Sequence, residues 1–230
     1  MTDLHTHILP GMDDGAQTME DALVMLQLEA EHGVDTVALT PHFYRNREQV
    51  ATFLARRENA WNQLQEATKN KKYPQLILGA EVAWAPGMAD WSGLEELCYQ
   101  GTKTLLVELP TTPWGDNVFH QLYKLESHRG ILPMIAHIDR YFSLQTKDNL
   151  LRLLDTGYPI QLSAEALLHM RSRRWAMDLL KYDDALLISD CHNLTDRKPN
   201  LDAGIKKLEK KLGRETTQEI IALTDDALND

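Results

Sequence analysis

Short apolar runs rich in Val, Ile and Leu alternate with longer segments of helical periodicity along the whole chain, and that alternation confines it to β/α architectures. The runs are Thr2–His7, Asp35–Thr40, Leu76–Val82, Thr104–Leu109, Leu132–Ala136, Pro159–Leu162 and Leu186–Ser189. Seven runs of this kind close more naturally into a barrel than into an open sheet, with an open parallel sheet as the alternative. No Pro/Gly/Ser-rich linker or internal repeat breaks the pattern, so residues 1–230 read as one domain.

Helical spacing predicts helices over Thr18–His32, Arg47–Lys69, Asp116–Arg129, Thr146–Asp155, Ala164–Leu180 and Leu201–Leu212. In the first, Ala22, Met25 and Leu26 form the inner stripe and Glu29 reads as facing outward. Thr18 and Asp21 stand as a capping box, and Gly33 stops the helix.

Composition removes several function classes. A formal charge of −10 disfavours a nucleic-acid binder, because phosphate backbones are held by Lys and Arg. No apolar run approaches the ~20 residues of a membrane span, and the opening Met1-Thr2-Asp3 lacks a basic, apolar leader, so the expected location is the cytoplasm without membrane insertion. Cys98 and Cys191 lie far apart and outside any CxxC pattern, which indicates neither a disulfide framework nor a thiolate zinc site.

In parallel β/α folds the active site gathers at the C-terminal ends of the strands. Of the nine histidines, His5, His7, His42, His137 and His192 fall at predicted strand ends, while His32, His120, His128 and His169 fall on helices or their ends. Residues i and i+2 share one face of a strand, so His5 and His7 can grip one ion. Glu81 and Glu108 each interrupt an apolar strand, where an unpaired carboxylate is costly; metal ligation or a buried salt bridge would relieve it. Asp190 follows the seventh run. Asp14, in the Gly11–Gly15 loop, is either a turn residue or a ligand. Imidazole and carboxylate together suit zinc, manganese and iron.

The stretches Asp3-Leu-His-Thr-His7, Asp14-Gly15, Thr40-Pro-His42, Gly79-Ala-Glu81, Val107-Glu108-Leu-Pro110, Ala136-His137-Ile-Asp-Arg140 and Ser189-Asp190-Cys-His192-Asn193 resemble, in order, motifs of the polymerase-and-histidinol-phosphatase (PHP) superfamily. The narrower likeness is to its bacterial tyrosine-phosphatase branch of capsular and exopolysaccharide synthesis. Cys191, Ile138-Asp139 and the C-terminal Leu223-Thr-Asp-Asp-Ala depart from the branch's usual residues, none at a proposed ligand.

The resemblance implies an α/β fold, a distorted seven-stranded (β/α)7 barrel, holding two or three divalent ions per chain: manganese first, iron or zinc as alternatives. It assigns His5, His7, Glu81 and Asp190 to one ion, Glu81, Glu108 and His137 to a second, and Asp14, His42 and His192 to a third. Asp3 would orient His5 or His7. Arg140 and Arg197 match basic positions used on the phosphoryl group, a task for planar guanidinium forks. A metal-bridging hydroxide would be the nucleophile, and the substrate a phosphotyrosine-bearing protein tail, as on a bacterial tyrosine kinase. A small phosphoester such as histidinol phosphate or a sugar phosphate, or a non-catalytic metal-binding scaffold, are the alternatives. Trp84 and Trp114 lie where they would stack on a phenol ring. Cys191 and Arg197 also fit the Cys-x5-Arg spacing of thiol phosphatases, but the intervening segment has no glycine, and Asp190 and Asp196 would raise a thiol's pKa.

Overall fold

Gly79 and Ala80 break the third apolar run, and the break reorganises the sheet. A computed structural model describes residues 1–182 and 184–229. Its strands are β1 (Thr2–Thr6), β2 (Thr36–Leu39), β3 (His42–Phe43), β4 (Gln75–Leu78), β5 (Glu81–Ala83), β6 (Thr104–Glu108), β7 (Leu132–Ile135), β8 (Ile160–Ser163) and β9 (Ala185–Ile188). All pair in parallel, in a three-stranded sheet β1-β2-β4 and a six-stranded sheet β3-β5-β6-β7-β8-β9.

The ladders of the described residues therefore do not run round a closed barrel, and the strands number nine where seven were expected. The second run is interrupted at Thr40-Pro41, where proline lacks an N–H, and resumes as β3. The third divides into β4, paired with β2, and β5, paired with β3; at the division the chain packs so closely that a Cβ at Gly79 would stand 3.1 Å from the Tyr99 ring. Beyond the ladders, the amide of His7 donates to the Cys191 carbonyl at 2.9 Å and that of Asp190 to the His5 carbonyl at 3.0 Å, joining the end of β1 to the chain leaving β9.

The helices are α1 (Met19–Glu31), α2 (Val50–Thr68), α3 (Asp116–Arg129), α4 (Lys147–Leu154), α5 (Ala164–Leu168), α6 (Arg173–Leu179), α7 (Leu201–Leu212) and α8 (Arg214–Asp226). Thr18 and Asp21 form the expected capping box on α1. Glu29 departs from expectation and is fully buried. The predicted helix over Ala164–Leu180 splits in two, because Ser172 and Arg173 side chains donate to the carbonyls of Ala166, Leu167 and Leu168 and end α5. The helix α8 was not expected. Its buried positions include Thr217 and Thr224, so the sequence shows no continuous apolar stripe; Thr224 accepts from the Leu187 amide of β9.

A large hydrophobic cluster lies between strands and helices, and a smaller one gathers Leu4, Ala38, Tyr99, Leu106, Met134, Ala136, Leu186 and Ile188 from β1, β2, β6, β7, β9 and their flanks. Tyr99 donates to the Leu4 carbonyl at 2.8 Å across this inner layer, which forms the floor of the site. No described helix is long and apolar enough to cross a membrane.

Candidate metal centre

Strand β1 does not keep even step with β2. Asp3 pairs with Val37 and Thr6 with Leu39, so β1 accommodates one extra residue between them, a bulge of the kind that re-aims side chains. At this point His5 and His7, both fully buried, bring their Nε2 atoms to 3.1 Å. The His5 Nδ1 lies 2.8 Å from Gln161 Oε1 and the His7 Nδ1 2.7 Å from Asp13 Oδ2. When each Nδ1–H donates to its oxygen, the two Nε2 lone pairs face each other, and a cation between them relieves the conflict. A proton can serve. Burial pushes His7 down, but the hydrogen bond and charge of Asp13 outweigh it and raise the imidazole to about 9.

Glu81 sits at the middle of the group. Its Oε2 lies 3.2 Å from the Nε2 atoms of both His5 and His7 and 2.8 Å from His42 Nδ1, while Oε1 lies 2.7 Å from His137 Nε2. Burial alone would raise this carboxyl; the His5 charge and the His137 hydrogen bond hold it well below its ordinary range. Glu108 responds oppositely, raised by burial and then by the Glu81 charge, so it shares a site with a like charge. His137 and Asp190 both adopt positive φ, 29° and 56°, a conformation that costs energy in residues other than glycine and that recurs at functional sites.

The third cluster spans two loops. His42 and His192 direct Nε2 toward Asp14 Oδ1, each at 3.6 Å. Burial, then the His7 charge, pushes His192 down to about 3, leaving it neutral with a lone pair to offer. The Gly11–Gly15 loop folds back so tightly on β1 that a Cβ at Gly15 would stand 2.0 Å from the His7 carbonyl oxygen, which only glycine tolerates. Arg56 on α2 fastens this loop, donating to the Met12 carbonyl at 2.7 Å and to Glu48 at 2.6 Å.

These residues fit divalent cations. Of four sets of described residues that present ligand atoms within 4.8 Å of one another, three lie here: His5, His7 and Glu81; His42, Glu81 and Glu108; and His7, Asp14, His42 and His192; the fourth is Asp3, Glu29 and Cys191. Among the described residues Glu81 Oε2, His42 Nδ1 and His192 Nε2 are buried without a hydrogen-bond partner, as unused ligand atoms would be. The donor set is mixed nitrogen and oxygen, the preference of first-row divalent ions.

A family model described as "Capsular polysaccharide synthesis, CpsB/CapC" matches residues 1–228. The chain belongs to the CpsB/CapC family. It is 29% identical to the tyrosine-protein phosphatase YwqE of Bacillus subtilis, covering 94% of this chain and 86% of that one. To the tyrosine-protein phosphatase CpsB of Streptococcus agalactiae it is 26% identical, covering 96% and 94%. A crystal structure from work on YwqE of Bacillus subtilis and CpsB of Streptococcus pneumoniae, described as metal-dependent tyrosine phosphatases, superposes with a TM-score of 0.84. The identity is 24%, with 100% of this chain and 94% of that one covered.

In this CpsB/CapC chain all nine ligand candidates, His5, His7, Asp14, His42, Glu81, Glu108, His137, Asp190 and His192, reach one region; His137 stands nearer Glu81 than Glu108, from which it is 3.9 Å. Arg140 and Arg197 both pair with Asp190, the latter at 3.1 Å, and Asp190 Oδ1 lies 3.6 Å from His5 Nε2. Asp3 does not orient an imidazole. Its Oδ1 accepts from the backbone amides of His5 and Ser189, and the rings are held by Gln161 and Asp13, which the sequence reading missed. Gln161 carried a usable signal, a polar residue within an apolar strand. Asp13 carried none that separated it from Asp14. Trp114 is buried edge-on against Tyr141 and Phe119 and cannot stack on substrate, and Trp84 packs half-buried against the core. Cys191 is fully buried with Sγ directed to Glu29 at 3.6 Å, and its thiol is pushed well above its ordinary value by burial and then Glu29, the reverse of an activated nucleophile.

Proposed function

We propose that this chain is a metal-dependent protein-tyrosine phosphatase, hydrolysing phosphotyrosine on a protein tail, in the first place that of a bacterial tyrosine kinase governing polysaccharide synthesis in the cytoplasm. One observation carries the reading: three imidazole nitrogens surround the buried Glu81 Oε2 at 2.8–3.2 Å without a hydrogen bond to it, an arrangement that calls for cations. Family membership and the named relatives support the phosphoester chemistry.

Two or three divalent ions, manganese before iron or zinc, would be held by His5, His7, Glu81 and Asp190; by Glu81, Glu108 and His137; and by Asp14, His42 and His192. Bound there, they would supply Lewis acidity and an activated water. Asp13 and Gln161 fix the imidazoles of His7 and His5, so the ligand atoms are aimed before any ion arrives. Arg140 and Arg197 converge on Asp190 at the rim, where their forks can turn to phosphoryl oxygens. The leaving group of a tyrosine ester has a pKa of about 10, so it departs without a strong acid. We further read the two sheets as one distorted PHP-type barrel within a single domain over residues 1–230, its halves joined by the His7–Cys191 and Asp190–His5 backbone bonds.

The test is a substrate panel with the purified protein and Mn²⁺. Phosphotyrosine peptides should be hydrolysed with higher kcat/KM than phosphoserine peptides, histidinol phosphate or sugar phosphates. A preference of about tenfold or more for a small metabolite would discard the protein substrate, since that is a full 1.4 kcal/mol of transition-state selectivity. No turnover with Mn²⁺, Fe²⁺, Co²⁺ or Zn²⁺ would discard the enzyme.

A further inference from the structure

Beside the proposed metal centre, sharing Asp14 and His42 with it, lies a cavity of about 580 Å³. The Asp13–Asp14 loop and the ligand His42 form one wall, and the turn Tyr44–Arg47, closed by the Arg47 amide donating to the Tyr44 carbonyl at 2.9 Å, forms the other. Its size suits an aromatic side chain with part of a neighbouring residue. The half-buried Tyr44 ring stands 5.2 Å from the His42 ring, so a flat apolar surface begins where the ligands end. Of the two aromatics that the sequence put forward for this duty, Trp114 is locked in the core and Trp84 packs half-buried against it.

The charges on the turn are equally specific. Arg47 lies over the Tyr44 ring at 4.3 Å and Arg45 over the Trp91 ring at 5.9 Å, and neither forms an ion pair with a carboxylate among the described residues. Arg56 in the same wall differs, because Glu48 and the Met12 carbonyl occupy it. In a chain of net charge −10, two guanidiniums left without carboxylates beside an anion-consuming centre are positioned for charges that arrive with the substrate.

We propose that this cavity is a specificity subsite: the aryl leaving group lies against Tyr44, and an anionic side chain next to the phosphotyrosine meets Arg47, with Arg45 outside the cavity lining adding positive charge from the same turn, so that the preferred substrate is an acidic peptide. The inference rests on the phosphatase reading and narrows its substrate class. Packing of the phenol against Tyr44 is apolar and serves any phosphotyrosine, whereas the arginines select among sequences. The charge contribution weakens with salt, as the turn is open to solvent.

The experiment compares three phosphotyrosine peptides, identical except that the flanking residues are glutamate, glutamine or lysine. The kcat/KM values are measured with Mn²⁺. Binding of non-hydrolysable phosphonate versions is measured by fluorescence anisotropy. The glutamate peptide should exceed the glutamine peptide by about three- to tenfold in both readouts, the range of one or two partly exposed charge pairs. Arg47→Glu should bring that ratio to unity or below, Tyr44→Ala should weaken all three peptides together, and Tyr44→Phe should restore them. Metal content and circular dichroism establish that each variant is folded. Equal use of glutamate and glutamine peptides by the unaltered protein, or a ratio untouched by Arg47→Glu, overturns the subsite. Should no peptide be turned over while anisotropy still depends on Arg47, the phosphatase reading falls and the subsite stands.

Discussion

Asp13 and Asp14 are adjacent carboxylates with different duties: the first grips the Nδ1 edge of His7 and accepts from the His42 and Gly15 amides, the second faces His42 and His192. Asp13→Asn should therefore weaken metal affinity by about 10–100-fold, the usual cost of losing a ligand's orienting partner, as measured by competition with a chelating dye. The same pair sets a pH dependence in the metal-free protein. The folded state holds His7 at about 9, above its ordinary 6.5, so its contribution is complete below 6.5 and lost as pH rises through 9. Asp13 is pushed down to about 2, so its share is present above 3.8 and lost as pH falls through 2. Urea midpoints in chelator should decline between pH 6.5 and 9, by on the order of 3 kcal/mol if His7 acts alone, and Asp13→Asn should flatten the slope. Metal affinity should rise over the same interval, because the ion must displace that proton. The histidines provide a further contrast. His137→Ala should reduce kcat by more than about 100-fold, since it removes a proposed ligand and not a supporting group. His128→Ala, exposed on α3, should leave kcat within about twofold. Equal damage from both would show that strand ends do not define the site.

At the scale of elements, the legible part of the fold was that which expresses itself as alternation. Runs of Val, Ile and Leu announced the strands, and polar residues at their ends announced the side chains that gather in one region, because a His or Glu in an apolar run has few other reasons to be there. What escaped depended on contacts between distant segments. Glu29 shares the helical stripe of Ala22, Met25 and Leu26, so periodicity placed it inward; its charge argued the opposite, and only the structure shows Cys191 against it. Helix α8 hides its inner face behind threonines whose hydroxyls bond to Gly213, Ile220 and β9. The break at Ser172–Arg173 came from side-chain caps, and Gly79 meets the ring of Tyr99, contacts that no local pattern reports. One element-scale contact is directly testable. Arg56 ties α2 to the loop carrying Asp14, so Arg56→Ala should loosen that loop, lower metal stoichiometry at limiting Mn²⁺ and raise proteolysis near residues 11–15, while costing about 1–2 kcal/mol in global stability. Unchanged stoichiometry would reduce Arg56 to a surface ion pair with Glu48.

Across the whole molecule, the proposed ligands come from β1, the loop after it, β3, β5, β6 and the segments following β7 and β9, so cations at the centre would cross-link most of the sheet order at one point. Their removal should then be felt globally. Mn²⁺ at about 100 times its dissociation constant should stabilise the fold by about 2.7 kcal/mol per site, read as a concentration-dependent rise in Tm that EDTA abolishes. A Tm indifferent to Mn²⁺ would contradict a centre built into the core. The extra residue in β1 and the bonds from His7 to Cys191 and from Asp190 to His5 have a consequence for how the protein comes into being. The proposed ligands are spread from His5 to His192, and the sets His5, His7, Glu81 and His42, Glu81, Glu108 precede Asp190 and His192 along the chain. The set of His7, Asp14, His42 and His192 is different: it closes only when the segment after β9 docks on the end of β1, so the ion it would hold is expected to load last.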